Sequence, residues 1–139
     1  MITEIYFQAL EVYSFNKVNI DFDVNSKNEL QINFKPFGLF KQSESESFYE
    51  LKIVFTAADK DSQKHMVEIE CNAIFKFSTK IEFSEIPSYF YNNSIAIIFP
   101  YIRAFISTVT LQANYQPLVL PTMNLSSLAD PLRENTSKA

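Results

Sequence analysis

Apolar and polar residues alternate with a period of two through the first eighty positions of the chain. In VNIDFD, Val18, Ile20 and Phe22 share one side, while Asn19, Asp21 and Asp23 take the other. ELQINF repeats the pattern, with Leu30, Ile32 and Phe34 set against Glu29, Gln31 and Asn33. Tyr49, Leu51, Ile53 and Phe55 share a side in FYELKIVF, and Val67, Ile69 and Cys71 oppose Glu68 and Glu70 in MVEIEC. Such alternation predicts strands with one buried and one wet face, the habit of antiparallel sheets. The polar segments Val24–Asn28, Lys41–Ser47 and Ala58–Lys64 have hairpin length and turn composition. The expectation is a four-stranded antiparallel meander with strands near 4–23, 28–41, 47–58 and 64–80. The first is long enough to hold a bulge near Ser14–Lys17.

Beyond residue 80 the period changes. EIPSYFYNNS (Glu85–Ser94) reads as a linker. In the segment that follows, Ile98, Tyr101, Ile102, Phe105, Ile106 and Val109 recur at helical spacing, a wide apolar stripe. Pro100 suits a first helical position, so a helix is expected to begin there. Pro117 and Pro121 make Asn114–Asn124 extended rather than helical. Asn124 is placed to cap a short final helix in LSSLADPLREN, which Pro131 curtails. Strands followed by helices predict an α+β fold with the helices on one face of the sheet. Residues 1–139 read as a single domain, with the sheet in 1–84 and linker, main helix, loop and short C-terminal helix in 85–139.

Composition narrows the function. Aromatics make up 15 % of the 139 residues, with 14 Phe, 7 Tyr and no Trp. Either the core is rich in Phe or part of the apolar surface serves a partner, such as unfolded peptide. A net charge of −4 and no basic stripe argue against binding nucleic-acid phosphate. The single cysteine, Cys71, rules out an internal disulfide and suits a reducing compartment. The first residues show no signal peptide, and the apolar runs fall short of the roughly 20 residues that a membrane span needs. A soluble, cytoplasmic protein with no membrane insertion is expected.

Candidate chemistry is sparse. One glycine, Gly38, is too few for phosphate loops or dinucleotide fingerprints. His65 and Cys71 lie on one strand roughly 20 Å apart, so they form no catalytic pair, and no residues have metal-ligand spacing. Cys71 reads as a packing residue. No cofactor and no enzyme activity are expected.

The segment FPYIRAFISTVTLQANYQPLVLPTMNLSSL resembles the export-chaperone family SecB, marked by a Phe-Pro-Tyr-Ala-Arg helix and a following loop with two prolines. Phe99, Pro100, Tyr101 and Arg103 match the helix motif, and Pro117, Leu118, Leu120, Pro121 and Asn124 match the loop. VYSFNKVNIDFD and VEIECNAIF resemble the family's first and fourth strands, so the likeness covers most of the chain. It implies an ATP-independent holdase that keeps unfolded preproteins competent for export. It also implies a homotetrameric dimer of dimers, with helices sandwiched between two sheets. Client contact is expected at Phe34, Phe37, Tyr115, Leu118, Leu120, Met123 and Leu125. Docking of the translocase motor SecA is expected at the acidic outer face, at Asp21, Asp23 and Glu68. Val67, Ile69 and Cys71 are expected at the oligomer interface, because no covering helix is foreseen for that strand.

The chain also departs from the family pattern. Asn19 stands where a third acid is usual, Ala104 replaces a glutamate and Leu125 replaces a phenylalanine. His65 falls near an expected aromatic groove residue, and Pro131 interrupts the second helix. These differences fit a SecB-like chaperone dedicated to one client, such as the antitoxin of a toxin–antitoxin pair. A small-ligand-binding or structural oligomeric domain sharing the fold is the rival reading.

Overall fold

A computed structural model describes residues 7–20, 30–112, 120 and 125–139. Four long strands, β1 (Phe7–Ile20), β2 (Leu30–Gln42), β3 (Ser47–Asp59) and β4 (His65–Phe77), precede the helix α1 (Ser88–Gln112). A short helix α2 (Ala129–Glu134) and a three-residue strand β5 (Thr136–Lys138) follow. The fold is therefore α+β.

The expected strands are present where they are described, but the meander is not. Strand order is β1-β4-β3-β2-β5. β2, β3 and β4 run as consecutive antiparallel hairpins, and β1 pairs antiparallel with β4 at the far edge. That is a Greek-key order. β5 pairs parallel with β2, so the sheet is mixed rather than four-stranded and antiparallel. Alternation decides which face a side chain takes, but not which neighbour its strand chooses. The bulge expected in β1 is present, with register shifts at Glu11/Ser14 and Phe15/Lys17. A further shift between Ala57 and Ala58 buries Met66 and Val67 together and leaves His65 exposed. This breaks the shared parity of His65 and Cys71 that an unbroken strand would have.

The main helix begins twelve residues earlier than expected, at Ser88 rather than Pro100. Phe90, Tyr91, Ser94, Ile95, Ile98, Phe99, Ile102, Ile106 and Thr110 are buried, so the stripe begins inside the segment read as a linker. The proline at the helix start is Pro87, whose carbonyl accepts from the Phe90 amide at 3.0 Å. Pro100 lies inside α1 on its exposed side. It removes one backbone bond, and the partner carbonyl it orphans, that of Ala96, is on a solvent-facing residue.

The core lies between α1 and the inward sheet face. The Phe90 ring centroid is 4.6 Å from Tyr49, 4.7 Å from Phe7, 5.1 Å from Phe77 and 5.7 Å from Phe75. Most of these contacts are edge-on, the arrangement that ring quadrupoles favour. Phe99 meets Phe34 of β2 on one flank of the helix, and Phe105 stacks at 3.7 Å on Phe15 of β1 on the other. Most of the aromatic surplus is therefore core: Phe40, Phe90 and Tyr91 are buried, while Tyr89 is exposed.

Candidate client-binding and docking surfaces

Four side-chain contacts tie the C-terminal part of the chain to this frame. The guanidinium of Arg103 donates from Nη2 to the Leu120 carbonyl at 2.8 Å, clamping the connector to α1. Leu120 is itself buried. The Arg133 guanidinium of α2 lies over the Tyr91 ring at 5.5 Å, joining the two helices. Beyond α2, Asn135 donates from Nδ2 to the Pro36 carbonyl at 3.1 Å. Thr136 Oγ1 donates to the Leu132 carbonyl at 2.6 Å, so its contact with Tyr49 Oη, also 2.6 Å, has the phenol as donor.

The expected client-binding set divides. Phe34 is only 7 % exposed and packs on Phe55 and Phe99, so its ring is core rather than groove. Phe37 lies three residues on, and an odd step along a strand puts it on the opposite, outer face. The two cannot line one groove. Leu120 is buried in the core, and Leu125 is half-buried against it. Tyr115, Leu118 and Met123 lie outside the described residues.

The oligomer-interface expectation is corrected. Val67, Ile69 and Cys71 are 0, 0 and 2 % exposed, packed in the protomer's own core. The premise that no helix covers their face fails: Phe105 of α1 stacks on Phe15, the strand partner of Cys71, and Ile102 and Ile106 are buried in the same core. Burial also pushes the Cys71 thiol up to about 12, so it stays protonated at physiological pH.

The outer sheet face is half-buried and mixed in charge. Glu46 meets Lys76 at 2.7 Å, Glu50 meets Lys41 at 2.7 Å and Glu70 meets Lys52 at 3.6 Å. Lys35 and Lys52 approach the Phe37 ring at 5.4 and 5.8 Å. Glu68 is on this face, whereas Asp21 and Asp23 lie outside the described residues.

The feature that periodicity missed is the outward face of α1. Tyr89, Ile97, Tyr101 and Leu111 are 47, 41, 42 and 57 % exposed, interleaved with Ala96, Pro100 and Ala104. Arg103 is the sole charge in the helix and is half-buried. A 25-residue helix with one charge was the available signal. By length and composition α1 also passes for a membrane span, correcting the expectation from run length, but the core helix of a soluble protein passes the same test.

One comparison shows the family, and the others show a relative and two similar folds. The model of the family described as preprotein translocase subunit SecB matches residues 1–132. An uncharacterized protein of Methanocaldococcus jannaschii, MJ0357, is 28 % identical, covering 94 % of this chain and 91 % of its own. Among solved structures, the fold is similar to the Mycobacterium tuberculosis SecB-like chaperone Rv1957, which was solved in complex with a ChAD peptide from the HigA1 antitoxin. That match has a TM-score of 0.66 and 15 % identity over 85 % of this chain and 88 % of the other. A Streptococcus agalactiae protein of unknown function has a similar fold, with a TM-score of 0.58 and 10 % identity over 86 % of this chain and all of the other. Matched by that family model over residues 1–132 of its 139, the chain belongs to the SecB family.

Proposed function

We propose that the protein is a cytoplasmic, ATP-independent holdase, acting as a single domain without catalysis and binding unfolded client segments on apolar surface. The observation that carries this reading is the uncharged outer face of α1 in a chain of this family. Exposed Tyr, Ile and Leu over a 25-residue helix are a surface made to be covered. A second copy covers the middle of it in a dimer of dimers, and client lies along the flanks beside Leu125 and the connector with Tyr115, Leu118 and Met123. Binding draws on apolar burial, worth about 25 cal/mol per Å².

A client-dedicated chaperone, serving one partner such as an antitoxin, is favoured over a carrier coupled to SecA. Glu46, Glu50 and Glu70 each have a lysine partner, which lowers the negative potential that an acid-reading motor protein would need. The similarity to Rv1957, solved with an antitoxin peptide, supports the same choice. SecA docking through Asp21, Asp23 and Glu68 is the second reading.

The deciding experiment mixes the purified protein with an unfolded precursor and follows light scattering. Delayed aggregation together with a defined complex larger than the free oligomer is expected. A strict monomer that leaves aggregation unchanged would sink the proposal.

A further inference from the structure

The outer edge of β2 carries a second surface, and the chain's own C-terminal segment occupies part of it. β2 runs over thirteen residues, yet β5 pairs only with Gly38, Leu39 and Phe40. The Gly38 amide donates to the Asn135 carbonyl at 3.3 Å, and the Phe40 carbonyl accepts from the Ala139 amide at 2.9 Å. Even-numbered residues of β2 therefore turn their backbone groups to this edge, and by the period of two Ile32 and Phe34 do the same. β5 also lies beyond residues 1–132, which the SecB model matches.

The two faces of β5 make different demands. Thr136 points inward, and its hydroxyl reaches the Tyr49 phenol over Gly38, where any Cβ would collide with Tyr49. Ser137 points outward into an open cavity of about 330 Å³, lined with Phe37, Leu39, Glu50, Lys52 and Asn72. A serine side chain leaves most of that volume unfilled.

We propose that this edge receives an extended client segment by strand addition, parallel to β2, and that residues 136–138 are its built-in competitor. The favoured segment places a threonine or serine over Gly38 and a large apolar side chain next to it, in the cavity that Ser137 underfills. Backbone bonds supply affinity and the two side-chain positions supply specificity, as in other strand-addition sites. The inference rests on the holdase reading and deepens it by naming the chemistry of the bound segment.

The test uses the full chain, a form ending at Glu134, and the Ser137→Phe variant. The probes are fluorescein-labelled ten-residue peptides with a central Thr-Phe or Thr-Asp step. Removing β5 should tighten Thr-Phe binding about fivefold, the worth of roughly one net hydrogen bond. Ser137→Phe fills the cavity from within and should weaken binding by about the same factor. The Thr-Asp peptide should bind poorly to all three. In the full chain, Thr-Phe peptide should move the amide resonances of Ser137 and Ala139, the two that face β2, to unpaired positions. Unchanged affinity in both altered forms, or resonances that stay in place with peptide bound, would overturn the inference. If aggregation of unfolded precursor is still delayed in that case, the holdase reading survives. If none of the three forms delays it, that reading fails instead.

Discussion

The hydroxyl of Tyr49 lies 2.6 Å from Oγ1 of Thr136, and it gets there by passing beneath Gly38. A Cβ at residue 38 would overlap the phenol and come within 2.7 Å of Thr136 Oγ1. The sole glycine of the chain is thus a passage for a tyrosine from β3 to the far side of β2. Tyr49 is fully buried, with its ring held against Phe90 and Tyr91, so it cannot swing aside.

Gly38→Ala should therefore destabilise the protein by about 1–3 kcal/mol, the usual cost of overfilling a packed site. Chemical denaturation should show a lower midpoint with little change in slope. Tyr49→Phe should cost about 1 kcal/mol through the lost hydrogen bond and loosen β5. An unchanged midpoint for Gly38→Ala would contradict the close approach.

Phe90 is the ring around which the aromatic core is arranged. Phe90→Ala should cost about 3–5 kcal/mol, because the removed volume sits among five other rings that cannot all collapse into it. Thermal denaturation by circular dichroism checks it, and a loss under about 1 kcal/mol would mean that the core repacks freely.

Ile97 and Tyr101 make the opposite case. Ile97→Asp or Tyr101→Asp should leave circular dichroism unchanged and reduce the oligomer mass seen by multi-angle light scattering. The cause is an unpaired charge on the apolar face of α1 that a second copy would cover. An oligomer mass equal to that of the parent would remove α1 from the interface.

Arg103 is a positioning residue for the connector rather than a contact for client. Arg103→Met should cost about 1.5–3 kcal/mol, the range for hydrogen bonds made by charged groups. Client affinity should fall with it, and Arg103→Lys should restore little, since lysine reproduces neither the reach nor the fork. Full client affinity in Arg103→Met would show that the clamp is incidental.

Alkaline pH should weaken the fold. Burial raises the Cys71 thiol from its ordinary 9.0 to about 12 and raises the Tyr49 phenol above its ordinary range. Tyr91 is raised as well, chiefly by burial, with Arg133 pulling the other way. Each group stays protonated in the folded state after it has ionised in the unfolded one. Stability is thus fully present below pH 9 and falls through the window from 9 to about 12, first from Cys71 and then from the tyrosines. Urea midpoints measured across that range should fall, and in Cys71→Ala the fall should begin nearer 10, the ordinary tyrosine value.

How far the chain could be read in advance depended on the range of the interaction involved. The strand faces were legible because alternation is local: Tyr49, Leu51, Ile53 and Phe55 all point to the core as their spacing requires. The family was legible at Phe99–Arg103 and at the spaced prolines. The helix start was not, because Phe90, Tyr91 and Ile95 sit among asparagines and serines that locally resemble a linker. Only burial against the sheet reveals their period. Phe34 and Phe37 are expected together as client contacts beside the loop, although strand parity puts them on opposite faces of the sheet.

By itself, then, the sequence determined the α+β class, the inward and outward faces of β2 to β4, the absence of a disulfide within the chain, and membership of a chaperone lineage. The first three follow from residue spacing or composition and the last from motif resemblance, all of which the chain carries before it folds. The tertiary structure decided that β1 joins β4, that α1 hides Val67, Ile69 and Cys71, and that residues 136–138 sit on the edge of β2. Those outcomes depend on contacts between residues up to about a hundred positions apart, such as Asn135 on Pro36. Their free energy comes from packing and hydrogen bonds that exist only once distant segments have met, and no local pattern records them.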